Sequence, residues 1–227
     1  MPTVLLHGLG ANGRVWDAWP QPRHAPDLAG HGSAPALPAY SFATMAAAVA
    51  DGLEVRRDLV LIGHSLGGVI ALELASGRYD VTVSRVIAVG VKVTWSDDDL
   101  GRANALAQKP VAWFDTREDA ATRFLRVSGL QNLVDPTAPI VDHGLQQLDG
   151  RWRLAMDPAT FGVGGPDMPR LIAESPADVV LARGEHDPMN TDAELRALHD
   201  QVITFRGLGH NAHVEDPSAV AVQLNIQ

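Results

Sequence analysis

One serine stands within the glycine-rich stretch Gly63-His64-Ser65-Leu66-Gly67, which follows an apolar run. This G-x-S-x-G spacing fits a sharp turn from a strand into a helix, where only residues without side chains let the two segments approach. Such a turn exposes the serine hydroxyl and aims the free N–H groups at the helix start toward whatever the hydroxyl attacks. The pattern predicts a nucleophile at Ser65; the plainer interpretation is a turn whose serine merely caps the helix.

A serine hydroxyl becomes an effective nucleophile when a base takes its proton and an acid orients that base. Of the nine histidines, His210 ends the loop Gly207-Leu208-Gly209-His210, which follows the last expected strand. It would therefore reach the same edge of a parallel sheet as Ser65, and it is the predicted base. His213 is the alternative.

The acid is expected from another loop at that edge. The stretch Arg183–Pro188 follows an earlier expected strand and contains two carboxylates. Asp187 is the predicted acid, whereas Glu185 lies closer to the end of the strand and is better explained as a solvated loop charge. The order along the chain is then Ser65, Asp187, His210.

A second glycine-rich turn, His7-Gly8-Leu9-Gly10, follows the first apolar run. Its glycines would let a backbone N–H face the space above Ser65, and an oxyanion hole needs two such donors held in place before the reaction. We expect these donors to be the N–H groups of Leu9 and Leu66. The alternative is an ordinary turn from a strand into a loop, with His7 as a structural residue.

The histidines also raise the question of a metal site. His210 and His213, together with His186 or Asp187, could bind zinc. However, these two histidines lie on a loop after a glycine rather than on one face of a helix, and the chain has no cysteine. The sequence therefore predicts that neither a metal nor an organic cofactor is required.

The elements that would position these residues alternate along the chain. Six short runs are typical of strands, and four of them are nearly continuously apolar, as in a parallel sheet covered on both faces. Helical patterns separate them, which predicts an α/β fold with right-handed crossovers. Ser41 is expected to cap a helix running through Leu53, and Thr191 with Glu194 is expected to form a capping box. The six expected strands are Val4–Leu6, Arg23–Asp27, Leu59–Gly63, Arg85–Gly90, Asp178–Ala182 and Val202–Phe205.

From Trp95 to Pro166 no strong buried-strand pattern occurs. Amphipathic stretches followed by loops rich in proline and glycine predict a helical cap at residues 95–166, inserted into a core of residues 1–94 and 167–227. Long insertions of this kind are commonly lids or binding elements. Apolar side chains in or near the cap are candidates to line a substrate pocket, although the aromatic ones could instead form the cap's own small core. The candidates are Trp95, Trp113, Phe114 and Met189.

Five short motifs in one order together resemble those of the α/β-hydrolase superfamily. The resemblance implies a mostly parallel sheet with the active site at the carboxyl ends of its strands. It also implies a cap inserted after the strand that follows the helix of the serine turn, which is where Trp95 falls. Family members usually begin with an antiparallel hairpin that has no counterpart here, so we expect six strands, with Arg23–Asp27 as an edge through which a dimer could pair. The motifs are His7–Gly10, Asp27–Ser33, Gly63–Gly68, Gly184–Asp187 and Gly207–His210.

The resemblance and the residue types imply the same reaction, in which His210 activates Ser65 for attack on a carbonyl and Asp187 orients His210. The predicted function is hydrolysis of a carboxylic ester or lactone of a small to medium substrate through an acyl-enzyme. Two alternatives stay open. The same residues could hydrolyse a thioester or a carbon–carbon bond of a diketone, or the chain could be a ligand-binding protein without catalysis.

The composition limits the other partners. The 227 residues suffice for one domain with a real core, and 18 basic against 27 acidic residues give a net charge of −9. This charge disfavours nucleic acid and anionic membranes as partners. No apolar run approaches the roughly 18 residues of a membrane span, and the first expected strand begins too soon after Met1 for a signal peptide. We therefore expect a cytoplasmic protein, a monomer or a homodimer, that acts on a small molecule.

Overall fold

The computed structural model describes residues 1–20 and 23–226. In chain order, its strands are β1 (Thr3–Leu6), β2 (Leu59–His64), β3 (Val83–Val89), β4 (Leu145–Leu148), β5 (Arg151–Leu154), β6 (Asp178–Gly184) and β7 (Val202–Phe205). Its α-helices are α1 (Phe42–Gly52), α2 (Leu66–Leu74), α3 (Asp97–Ala107), α4 (Arg117–Val127), α5 (Pro139–His143), α6 (Met168–Glu174), α7 (Asp192–Leu198), α8 (Ala212–Glu215) and α9 (Pro217–Gln223). Two short 3₁₀ helices span Gly13–Trp16 and Pro158–Val163.

Five parallel strands form the main sheet in the order β1, β2, β3, β6, β7. Apolar clusters lie on its two faces, and all six residues of β2 are buried, as expected for a strand covered on both sides. Because the five strands run in the same direction, their carboxyl ends meet at one edge. The turns that leave this edge carry the candidate residues.

The sheet has five strands and not the six expected from the sequence. The segment 23–27 contacts β1 through a single bridge between His24 and Val4. The N–H of Leu5 donates to the carbonyl of His24 at 2.8 Å, and the N–H of His24 donates to the carbonyl of Thr3 at 3.0 Å. Pro26 follows two residues later and has no N–H to continue a ladder.

The helix starts agree with the sequence signals. Ser41 caps α1 in a capping box with Thr44, and Thr191 caps α7 in the expected box with Glu194. Ser96 caps α3 and forms a third box with Asp99. Within residues 1–20 and 23–226, none of the helices has the length and apolar character needed to cross a bilayer.

The segment between β3 and β6 is not purely helical. It contains α3, α4 and α5, followed by β4 and β5, which pair as an antiparallel hairpin with Leu145 opposite Leu154. Side chains of α4 and α5, including Phe124 and Val141, pack in the same apolar cluster as Ile62 of the main sheet. By contrast, α3 contains no buried residue and lies against the 3₁₀ helix Pro158–Val163.

Candidate active site

Ser65 lies in a strained turn between β2 and α2. Its backbone adopts φ 50° and ψ −115°, a conformation that costs about 1–3 kcal/mol for a residue other than glycine. Its N–H donates to the carbonyl of Val89 at 2.8 Å, which anchors the turn to β3. A side chain at Gly63 would collide with the carbonyl of Gly67, and one at Gly67 would collide with the carbonyl of Leu6. The two glycines are therefore required for the approach of strand and helix.

His210 and Asp187 form a hydrogen-bonded pair at the same edge. The N–H at Nδ1 of His210 donates to Oδ1 of Asp187 at 3.0 Å. The carboxylate is fully buried, and its Oδ1 also accepts from the N–H of Met189 at 2.9 Å. The imidazole keeps a fifth of its side chain exposed, so one side of the ring is reachable from outside. With Nδ1 protonated, the Nε2 of neutral His210 is an acceptor.

Arg183 and Asn190 shape the loop that carries Asp187, and the sequence analysis did not single them out. The buried guanidinium of Arg183 donates to the carbonyl of Asp187 at 3.0 Å and to Oδ1 of Asn190 at 2.9 Å. The amide of Asn190 in turn donates to the carbonyl of Val91 at 2.8 Å. This chain of bonds ties the loop after β6 to the segment after β3.

Gly90 is a third residue that sequence reasoning missed. It follows β3 with φ +64°, and a Cβ built on it would lie 3.2 Å from Oδ2 of Asp187 and 3.3 Å from Cε1 and Nδ1 of His210. The space against the pair is thus kept free of side chains. The available signal was weak, because a glycine at the end of a strand is common in turns.

The N–H groups of Leu9 and Leu66 are both free. Both residues line the same cavity as Ser65, and within residues 1–20 and 23–226 neither N–H has a hydrogen-bond acceptor in the protein. Leu66 is the first residue of α2, where backbone N–H groups lack partners within the helix.

Two buried histidines hold the turn that contains Leu9. Nε2 of His7 accepts from the N–H of Leu28 at 2.9 Å, and Nε2 of His31 accepts from the N–H of Gly10 at 3.1 Å. Burial lowers the pKa of His7 to about 4 and the pKa of His31 to about 3, so both rings are neutral and able to accept at pH 7. His7 is thus a structural residue of this turn.

The alternative base and the alternative acid have other positions. His213 is fully buried, with its ring centroid 4.4 Å from that of Trp16 and 4.2 Å from that of His64. Its two ring nitrogens have no hydrogen-bond partner among the residues that the structure describes, and burial lowers its pKa to about 3. Glu185 accepts from the N–H of Gly207 at 2.8 Å and so braces the loop before His210.

A cavity of about 340 Å³ lies beside Ser65. Most of its lining is apolar, and α3 forms one wall. At one end Lys92 pairs with Asp99 at 2.8 Å and lies 5.1 Å from the centre of the Trp95 ring. Hydrogen bonds from Lys92 and from the backbone and side chain of Ser96 lower the pKa of Asp99, so this carboxylate stays charged.

Of the four residues expected to line a substrate pocket, two line the cavity beside Ser65. Trp95 and Met189 line the cavity beside Ser65. Trp113 and Phe114 are not among the described residues that line it. Phe114 pairs with Trp152 through backbone hydrogen bonds of 2.8 Å, and both rings pack on the apolar cluster of the inserted segment and the sheet. Trp113 lies 5.8 Å from the guanidinium carbon of Arg153.

The described residues contain no group of three or more metal-binding side chains placed to hold an ion. The zinc site considered from the sequence also has the wrong geometry, because Asp187 is bonded to His210 while His213 packs between Trp16 and His64.

Comparison with known proteins gives a consistent result. A family model described as "Alpha/beta hydrolase family" matches residues 3–223. The chain is 29% identical over 193 residues to lipase LipV of Mycobacterium tuberculosis, covering 78% of this chain and 68% of the relative. It is 32% identical over 218 residues to a pimeloyl-(acyl-carrier protein) methyl ester esterase of Methylococcus capsulatus, covering 89% of this chain and 84% of the relative. Among solved structures, a thioesterase domain from the curacin biosynthetic pathway superposes with a TM-score of 0.78 at 21% identity, covering 100% of this chain and 91% of that one.

Proposed function

Because the chain belongs to the alpha/beta hydrolase family, we propose that it is a serine hydrolase that cleaves carboxylic esters through an acyl-enzyme on Ser65. The observation that carries this proposal is the pair of free N–H groups of Leu9 and Leu66, which line the same cavity as the strained Ser65. A binding protein has no need of two N–H donors without acceptors at a cavity that a serine also lines. Its relatives are named as a lipase and as methyl ester esterases, which favours an oxygen ester as the substrate.

In the proposed reaction, Nε2 of His210 takes the proton of the Ser65 hydroxyl while the serine oxygen attacks the ester carbonyl. The negative charge that develops on the carbonyl oxygen is stabilised by the N–H groups of Leu9 and Leu66. Asp187 keeps the proton of the imidazole on Nδ1 and stabilises the imidazolium that forms. His210 then protonates the leaving alcohol, and a water molecule hydrolyses the acyl-enzyme by the reverse sequence of proton transfers.

Substrate binding is assigned to the cavity beside Ser65, including Trp95 and Met189. We propose that residues 95–166 act as a cap on a core of residues 1–94 and 167–227. The helix α3, which has no buried residue, would be the part of this cap that contacts substrate.

The test is hydrolysis of p-nitrophenyl esters from acetate to decanoate by the wild type and by Ser65→Ala. We expect the wild type to be active and Ser65→Ala to lose at least about 10⁴-fold in kcat. A fluorophosphonate probe should label the wild type with one equivalent and leave Ser65→Ala unlabelled. Equal ester hydrolysis by both proteins would contradict the proposal. Acyl thioesters of the same chain lengths, assayed in parallel, distinguish an esterase from a thioesterase.

A further inference from the structure

A second apolar cavity of about 100 Å³ adjoins the one beside Ser65. The two cavities share two lining residues, Leu106 at the end of α3 and Phe161 of the 3₁₀ helix Pro158–Val163. These side chains therefore form a partition between the cavities. Beyond the partition, the smaller cavity is lined mainly by apolar side chains, among them Val127 and Leu154.

The larger cavity lies on the side of Ser65 that suits the acyl part of an ester. The leaving alcohol must lie near His210, because that residue protonates it. His210 is not among the described residues that line the cavity, whereas Leu9 and Leu66 are. With the carbonyl oxygen at these two N–H groups, the acyl chain would lie in the cavity and the alcohol toward the exposed side of the His210 ring.

The helix α3 gives the cavity its length and direction. Asp99 near its start and Leu106 near its end both line the cavity. Seven residues of α-helix separate them, which corresponds to about 10 Å. The charged group of Lys92, Asp99 and Arg102 occupies the end near the start of the helix. The apolar end is therefore the one closed by Leu106 and Phe161.

We propose that Leu106 and Phe161 set the upper limit on the length of the acyl chain, and that the substrates are esters of unbranched, uncharged acyl chains that end against this partition. The inference rests on the proposed esterase function and adds the substrate class to it. Both side chains are half-buried, and the close packing of α3 on the 3₁₀ helix, where a Cβ at Gly162 would lie 3.1 Å from Cβ of Ala107, keeps the partition in place. Removing either side chain would connect the smaller cavity to the larger one. The added volume is that of about three liquid water molecules.

The experiment compares kcat/KM for p-nitrophenyl esters from butanoate to dodecanoate in the wild type, Leu106→Ala and Phe161→Ala. In the wild type, kcat/KM should rise about fourfold for each methylene buried and then fall once the chain exceeds the cavity. In each alanine variant the maximum should move to longer chains. For each protein, kcat/KM for the first ester longer than the wild-type maximum is divided by kcat/KM for butanoate. This ratio should be at least about tenfold higher in each alanine variant than in the wild type.

Two controls accompany these variants. Leu106→Met keeps the volume of the partition and should retain the wild-type chain-length maximum. Leu148→Ala removes an equal side chain from an exposed position in the hairpin, away from both cavities, and should leave the maximum unchanged. Maxima that stay at the wild-type length in both Leu106→Ala and Phe161→Ala, with folding verified by thermal melting, would overturn the proposal.

A measurement without turnover separates this inference from the proposed function. Straight-chain carboxylates from butanoate to dodecanoate are added to Ser65→Ala, with and without Leu106→Ala, and the shift in Tm is recorded. A longer chain-length maximum with Leu106→Ala supports the partition even if no ester is hydrolysed by the wild type. Ester hydrolysis with the same maximum in all variants, by contrast, leaves the esterase proposal standing and removes the inference.

Discussion

Nε2 of His143 lies 2.7 Å from Oδ2 of Asp27, so that α5, which lies between β3 and β6, is tied to the turn Asp27–Ser33. The same carboxylate accepts from the N–H groups of Gly13 and Ser33 at 2.8 Å. Burial alone would raise the pKa of Asp27, but these hydrogen bonds outweigh it and lower the pKa to about 2. Asp27 therefore stays ionised at any pH where the protein would be assayed and holds the two segments together.

Replacing His143 should loosen this junction. We expect His143→Ala to reduce the free energy of unfolding by about 1–2 kcal/mol, because a hydrogen bond to a largely buried carboxylate is lost. Urea unfolding at pH 7.5 measures the change. The matched control is His186→Ala, which removes an exposed imidazole and should have an effect within about 0.5 kcal/mol. An equal loss in both variants would show that the contact with Asp27 contributes nothing.

The choice between the two carboxylates after β6 can be tested directly. Asp187→Asn should lower kcat for ester hydrolysis by roughly 10⁴-fold, because an amide at this position favours the wrong tautomer of His210. Glu185→Gln keeps an oxygen that can accept from the N–H of Gly207 and should stay within a few-fold of the wild type. Steady-state kinetics on a short ester gives both values. A larger loss in Glu185→Gln than in Asp187→Asn would reverse the assignment.

Gly90 offers a test of the packing against the same pair. In Gly90→Ala the new methyl group lies within 3.3 Å of Asp187 and His210, so we expect kcat to fall by at least tenfold as these side chains are displaced. Gly77→Ala is the control, since Gly77 has a similar φ of +78° but no described atom within 4 Å of its Cβ position. Both variants should lose some stability from backbone strain, and only Gly90→Ala should lose activity.

The residues proposed to act at the sheet edge could be chosen from the sequence because each follows a strand. Parallel strands bring their carboxyl ends to one edge, so motifs far apart in the chain meet there. Asp187 and His210 are separated by 23 positions, and the structure brings their side chains to 3.0 Å. The cap at Ser41 and the capping box of Thr191 with Glu194 could likewise be predicted, because capping depends on residues close together in the chain.

Other features depended on contacts that a linear pattern does not contain. In the sequence Arg183 is only an arginine near the end of an expected strand. Its hydrogen bond to the carbonyl of Asp187 becomes apparent only in the folded chain. Trp113 and Phe114 were expected at the cavity because they are aromatic, but aromatic character does not say which surface a side chain covers. The strand expected at residues 23–27 has a suitable composition, yet Pro26 prevents a continuous ladder. Contacts distant in sequence thus decided the outcome at Arg183, Trp113 and Phe114, whereas Pro26 acts locally.

The group of buried histidines predicts a steep loss of stability in acid. Burial lowers the pKa of His7 to about 4 and those of His31 and His213 to about 3, and it lowers the pKa of His64 well below 6.5. In the unfolded chain the same residues titrate near 6.5. Between pH 6.5 and about 4 the unfolded state therefore binds more protons than the native state, so stability falls as the pH falls through this window and is unaffected above it. Each residue that contributes adds at most about 1.4 kcal/mol per pH unit to this slope.

His213 provides the variant that tests this account. His213→Phe keeps an aromatic ring between Trp16 and His64 and removes two ring nitrogens that have no hydrogen-bond partner in the described part of the chain. We expect the pH dependence of the free energy of unfolding between pH 6.5 and 4.5 to become shallower by about one proton out of four.

Ester hydrolysis at pH 8 should persist in His213→Phe, because His210 and not His213 is the proposed base. The measurement is a series of urea unfolding curves across this range for the wild type and His213→Phe. A wild-type stability that is flat between pH 7 and pH 5 would contradict the prediction, because it would mean that these histidines bind protons equally in the native and the unfolded chain.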